Sequence, residues 1–156
     1  MMMAPKKIDG RYHLDGYIRE SPVQKNVHID FMIDTSQTHT IISKTDAVNN
    51  LVKLDTLEIK KGIFEVSNEP IDGYVYPNCE IRVARQSGEG DRLYKEILME
   101  VYIPFKKISA NRKEADFSRL GLDFLEKFRI TFETIDLDRD QVMILQYPHE
   151  KYIKII

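Results

Sequence analysis

Val27-His28-Ile29-Asp30-Phe31-Met32-Ile33-Asp34-Thr35-Ser36-Gln37-Thr38-His39-Thr40-Ile41-Ile42-Ser43 decides how the rest of the chain is read. Its first half alternates. Val27, Ile29, Phe31 and Ile33 share one face, and His28 and Asp30 take the other, the period of a half-buried strand. Met32 breaks the alternation, so the end of the strand is apolar on both faces. A polar run follows from Asp34 to Thr38, and then a second apolar piece, Thr40-Ile41-Ile42. An acid where a buried strand runs out into a turn is unusual. Burial penalises its charge, so it must be hydrogen-bonded, paired or protonated.

Met32-Ile33-Asp34-Thr35-Ser36-Gln37-Thr38 resembles the active-site loop of aspartic proteases: apolar residues, Asp-Thr-Gly or Asp-Ser-Gly, a small residue, then Ser or Thr. Late in the chain, Leu120-Gly121-Leu122-Asp123-Phe124-Leu125-Glu126-Lys127-Phe128-Arg129-Ile130 resembles the apolar-Gly-x-Asp-x-Leu segment of single-domain, retropepsin-like members. The resemblance covers residues 10 to 146. It implies a mostly β, closed retropepsin-like barrel with one or two short helices, homodimeric. It also implies an aspartic endopeptidase acting on peptides or unfolded protein, with no cofactor and no metal.

Residue by residue, the resemblance makes Asp34 the catalytic carboxylate and Thr35, Ser36 and Thr38 the supports of its loop. Gly121 and Asp123 become structural residues behind that loop. The chain has one Asp-Thr-Ser, so two Asp34 carboxylates, one per subunit, would meet at a two-fold axis. The alternative, from another class, is a catalytically weak or inactive homodimer of the same fold that serves as a binding or scaffold module. Four departures bear on that choice. Ser36 stands where the family has Gly, and Gln37 where it often has Ala. Arg119 stands where the family usually has an apolar residue, and Leu122 where retroviral members have Arg. A Ser at a positive φ would cost on the order of 1 kcal/mol or more, and at a negative φ little.

Composition bounds the remaining classes. The chain has 156 residues, 42% hydrophobic and 31% charged, the make-up of one soluble globular domain. A net charge of -2 with scattered Lys and Arg argues against a nucleic-acid partner. No window approaches the ~18 apolar residues of a membrane span, and the basic start from Met1 to Lys7 has no apolar core behind it, so no signal peptide is expected. Cys79 is the only cysteine. A disulfide framework is excluded, and a reducing cytoplasm is the expected home.

Along the chain, residues 1–9 are expected to be flexible unless they join a sheet. Arg11 to Glu20 reads as a strand pair or a bent strand, with Asp15-Gly16 as a turn signal. Ser43 reads as the N-cap of a short helix, with Asp46 three residues on. Glu69-Pro70 and Asp72-Gly73 read as turns, and Tyr74 to Ala84 as a strand that Pro77 places at an edge or a bulge. Gln86 to Asp91 reads as a hairpin loop, and Leu93 to Phe105 as a long strand closed at Pro104. A helix is expected over Gly121 to Lys127, and strands over Arg129 to Asp136 and Gln141 to Gln146. The hairpin between Ile59 and Tyr74 is the candidate lid. The tail 147–156 ends in Tyr152-Ile153-Lys154-Ile155-Ile156, a β-prone edge that must be covered. It is expected to pair with its own sheet or, preferably, with the partner's terminal strand at the dimer interface.

Other chemistry reads weakly. His13, His28, His39 and His149 lack ligand spacing, and His39 reads as a solvated strand residue. Asp136, Asp138 and Asp140 alternate as in a calcium loop, but Gln141 and Tyr147 occupy its Gly and Glu positions, so a hairpin turn is expected instead.

Overall fold

The computed structural model describes residues 2–3, 5–20, 25–51, 54–66, 69–84, 94–108, 116–134 and 141–146. In chain order it has β1 (Met2–Met3), β2 (Lys6–Ile8), β3 (Arg11–Glu20), β4 (Lys25–Ile33), α1 (Lys44–Asn50), β5 (Glu58–Val66), β6 (Glu69–Ala84) and β7 (Tyr94–Pro104). Then come β8 (Ser118–Leu120), α2 (Leu122–Leu125), β9 (Arg129–Thr134) and β10 (Gln141–Gln146), and a single 3-10 turn, Leu54–Thr56, precedes β5. Residues 1–9, expected to be loose unless they join a sheet, supply β1 against β10 and β2 against β3. The expected Gln86–Asp91 loop, Asp136–Asp140 turn and tail lie outside the described residues.

The β4 pattern organises the core. Val27, Ile29 and Phe31 are buried on one face, and Met32 is buried as well. Each such side chain contributes about 1.5–3 kcal/mol on removal from water. On the opposite face Asp30 stands directly across from Asp15 of β3. Like charges in that position repel, and each is answered diagonally by a histidine. His28 Nε2 lies 2.8 Å from Asp15 and His13 Nδ1 lies 3.1 Å from Asp30. Among the described residues no group of three or more His, Cys, Asp or Glu side chains converges as a metal site, and no helix is long and apolar enough to cross a membrane.

A seven-stranded sheet runs β5-β6-β3-β4-β8, with β2 on β3 and β7 on β6. A separate three-stranded sheet runs β1-β10-β9. All pairings are antiparallel except β4 with β8. The expected closed barrel does not form. Between β7 and β8 the described link is not a strand but residues 40–42, where Ile41 bridges to Tyr102 on one side and to Arg119 on the other. The second apolar piece after the acid loop is spent on that bridge and never becomes a strand.

Three turn signals are corrected. Asp15-Gly16 lies inside one continuous ten-residue strand, β3. Gly16 is there for space, since a Cβ would fall 2.7 Å from the Phe31 ring. Glu69-Pro70 and Asp72-Gly73 lie inside β6. Asp72 accepts the Gly62 N–H at 2.8 Å, and a Cβ at Gly73 would run into the Ile103 carbonyl. Pro77 does mark a bulge: the β6–β7 register shifts between Tyr76 and Cys79, and Asn78 takes a φ of 51°. The expected helix over Gly121 to Lys127 is the shorter α2, and β8 just before it is a strand that the spacing of Phe117, Leu120 and Phe124 hides.

Candidate active site

Asp34 follows the last residue of β4, and its backbone N–H donates to the Leu120 carbonyl at 3.0 Å. That bond extends the parallel β4–β8 pairing by one step and sets the acid at the mouth of the loop. The loop turns back through the Gln37 N–H, which donates to the Asp34 carbonyl at 3.3 Å. Its far end returns to the same strand, where Ile41 and Arg119 exchange two backbone bonds at 2.8 Å. Both ends of the acid loop therefore grip β8.

The middle of the loop is tied to α2. The Leu122 N–H donates to the Gln37 carbonyl at 2.9 Å and the Asp123 N–H to the Thr38 carbonyl at 3.1 Å. The Asp123 carboxylate accepts from the Thr40 N–H at 2.9 Å, the Thr40 hydroxyl at 2.7 Å and the Phe124 N–H at 2.8 Å. Thr40 Oγ1 in turn accepts from the Gly121 N–H at 3.1 Å. A Cβ on Gly121 would lie 2.6 Å from the His39 backbone, so only glycine lets α2 approach this closely. His39 itself is in the loop rather than in a strand, edge-on to Tyr102 at 4.7 Å between ring centroids.

The Asp34 carboxyl is only 12% exposed and its contacts are specific. Oδ1 accepts from the Ser36 N–H at 3.0 Å and from the Ser36 hydroxyl. Oδ2 accepts from Arg119 Nη1 at 2.8 Å. Burial pushes the carboxyl up, but the Ser36 hydroxyl, Arg119 and the Ser36 amide outweigh it and hold the group below the usual carboxylate range. Ser36 does not take a positive φ, since among the described non-glycine residues only Asp9 and Asn78 do. The backbone penalty weighed for Ser at this position therefore does not arise, and the hydroxyl adds a donor that Gly would lack.

The remaining candidates separate by position. Thr35 and Thr38 are exposed on the loop. Thr38 contributes its carbonyl, and the Thr35 hydroxyl has no partner among the described residues. Gln37 is 5% exposed and donates from Nε2 to the Glu65 carbonyl at 3.0 Å, which joins the loop to the β5–β6 hairpin. The Arg119 contact is the feature that residue-by-residue reading passes over. A guanidinium in a short strand between buried Ser118 and Leu120 needs an anion, and that was the available signal.

A crystal structure of a retropepsin-like aspartic protease from Rickettsia conorii superposes with a TM-score of 0.53 at 19% identity, covering 93% of this chain and 90% of that one. The fold is retropepsin-like. The retroviral protease-like domain of Ddi1 from Leishmania major also aligns, at 15% identity and a TM-score of 0.43, over 87% of this chain and 94% of that one. No family's sequence profile and no curated protein matches the chain. At these identities the likeness is one of fold. Within the retropepsin-like frame, the Asp34 loop and the Gly121–Leu125 segment are brought together by the bonds described above.

Proposed function

We propose that this chain is an aspartic endopeptidase that acts as a homodimer, with one Asp34 from each subunit. One carboxylate takes a proton from a water molecule, which attacks the carbonyl carbon of a peptide bond. The other carboxyl, carrying the shared proton, donates it to the carbonyl oxygen. Collapse of the tetrahedral adduct moves a proton to the amide nitrogen and breaks the C–N bond, giving an acid and an amine. Two carboxylates ~3 Å apart cannot both ionise, so they titrate as a coupled pair.

The observation that supports this reading best is the Asp34 carboxyl itself. It is largely buried at the end of β4 and held by Ser36, in a loop braced at both ends within a retropepsin-like fold. The exposed Thr35 hydroxyl is free to reach a second subunit. The substrate would be an extended peptide or unfolded protein, and a cytoplasmic setting fits a lone cysteine. The alternative, an inactive homodimeric binding module, draws on the Arg119–Asp34 ion pair, which favours the ionised carboxyl and so opposes a shared proton.

The deciding test is cleavage of unfolded casein in acid, blocked by a pepsin-type transition-state inhibitor. Asp34→Asn is expected to abolish it and to leave the fold and the sedimentation behaviour unchanged. Full activity in Asp34→Asn would overturn the site, and a strict monomer under assay conditions would overturn the shared dyad. A dimer without cleavage from pH 3 to 8 would favour the binding module.

A further inference from the structure

We propose that Arg119 is a positioning residue that holds Asp34 as a carboxylate and so sets how acid the medium must be before the site takes up its proton. This rests on the reading of Asp34 as half of a catalytic pair, but its chemistry is confined to one chain.

The geometry leaves the guanidinium few alternatives. Arg119 is the middle residue of the three-residue β8, paired with Met32 on one side and bridged to Ile41 on the other. Its side chain is 16% exposed. Nη1 meets Asp34 Oδ2 at 2.8 Å, Nη2 reaches the Ile108 carbonyl at 3.5 Å, and Nε is buried without a partner among the described residues. Asp34 is the one carboxylate it contacts there. Moving the guanidinium off Asp34 would leave a cation that, among the described residues, keeps one long bond to a carbonyl, an expensive state. The cation therefore stays beside the carboxyl when a second subunit docks.

The other groups around Asp34 do not offset this charge. Ser36 places two donors on Oδ1, which also favour the anion. From β5, the Glu65 backbone carbonyl reaches the loop through Gln37, and the Glu65 side chain is exposed. From α2, Asp123 is taken up by Thr40 and Phe124, with His39 4.0 Å away. Asp116 accepts from the Thr45 hydroxyl and the Ile108 amide. An opposite charge at hydrogen-bond distance lowers a carboxyl by about 1–3 pH units. Two such cations flanking a pair of Asp34 groups would weaken the pair's hold on its shared proton, so that the site takes it up only in a more acid medium than an apolar residue at 119 would require.

The test uses the full chain with Arg119→Met, which keeps the apolar stem and removes the charge, Arg119→Gln, which keeps hydrogen-bonding capacity, and Arg119→Lys, which keeps the charge. The Asp34 carboxyl carbon is followed by NMR across pH, assigned by its loss in Asp34→Asn, and the pH profile of casein cleavage is recorded alongside. In Arg119→Met and Arg119→Gln the Asp34 titration is expected to move up by about 1–3 pH units. The basic limb of kcat/KM is expected to move with it, and Arg119→Lys to stay near the wild type. Were the neutral variants to titrate like the wild type, or Arg119→Lys to shift as far as Arg119→Met, the proposal would be overturned. If Met misfolds, Gln decides. A shifted carboxyl titration without cleavage by any form would sustain the role of Arg119 and reject the protease reading.

Discussion

The Gln37 side-chain amide donates to the backbone carbonyl of Glu65, and the acid loop is thereby fastened to the β5–β6 hairpin within one chain. The proposed protease needs a lid over the carboxyl pair to exclude water and hold an extended peptide. This bond places the residue that follows Ser36 in contact with the hairpin that would form it. Gln37→Ala should loosen the hairpin without unfolding the sheet. Hydrogen exchange across residues 59–74 should speed up in the free protein, and the gain in protection on inhibitor binding should be larger than in the wild type. Equal exchange in both proteins would remove the side chain from any part in the lid.

Behind the site, Ser118 Oγ donates to Asp46 at 2.6 Å and accepts from the Ser43 N–H at 2.9 Å. Ser43 and Ser118 are both fully buried. Ser118→Ala leaves a buried amide without its acceptor and is expected to cost about 1–3 kcal/mol, read from urea unfolding. A change under a few tenths would mean that water replaces the hydroxyl.

Gly121→Ala tests the approach of α2 to the loop. The added methyl meets backbone atoms of His39 and Gln37 rather than movable side chains. Destabilisation of about 1–3 kcal/mol is expected, together with a larger loss of cleavage than the stability change explains. A stable, fully active Gly121→Ala would show that the loop yields at no cost.

Stability should fall in acid. Burial pushes the Asp15 carboxyl up, but His28 and Lys6 outweigh it and hold it below the ordinary range, as Ser36 and Arg119 do for Asp34. A carboxyl depressed in the folded state stabilises the protein above its unfolded value of about 3.9, and the contribution is lost as pH falls through the folded value. The urea midpoint should therefore drop as pH falls below about 4, and the drop should be shallower in Asp15→Asn. An unchanged slope in that variant would shift the burden to other carboxylates.

Local signals were legible where the cause is local. Ser43 caps α1 through the Asp46 amide at 3.1 Å as its spacing implies, though the Asp46 carboxylate bonds Ser118 instead of closing the box. Pro77 announces its bulge because the missing N–H is a property of the residue itself. The misread glycines have remote causes: the Phe31 ring at Gly16 and the Ile103 carbonyl at Gly73 come from other strands. β8 escaped because three residues carry no period, and its partners lie far back in sequence. In the site, the position of Asp34 followed from pattern and resemblance. Its ion pair with Arg119 depends on two strands lying side by side, which no window of sequence contains.

Among the described residues, the loop from 34 to 41 is bonded to β8, α2 and β5 of its own chain. Half of the proposed pair is thus finished before a second subunit arrives, and assembly becomes a collision between two prepared surfaces. Reconcentration after dilution should restore activity in one second-order phase with no lag, and the concentration needed for half-maximal activity would report docking strength free of any contribution from ordering the loop.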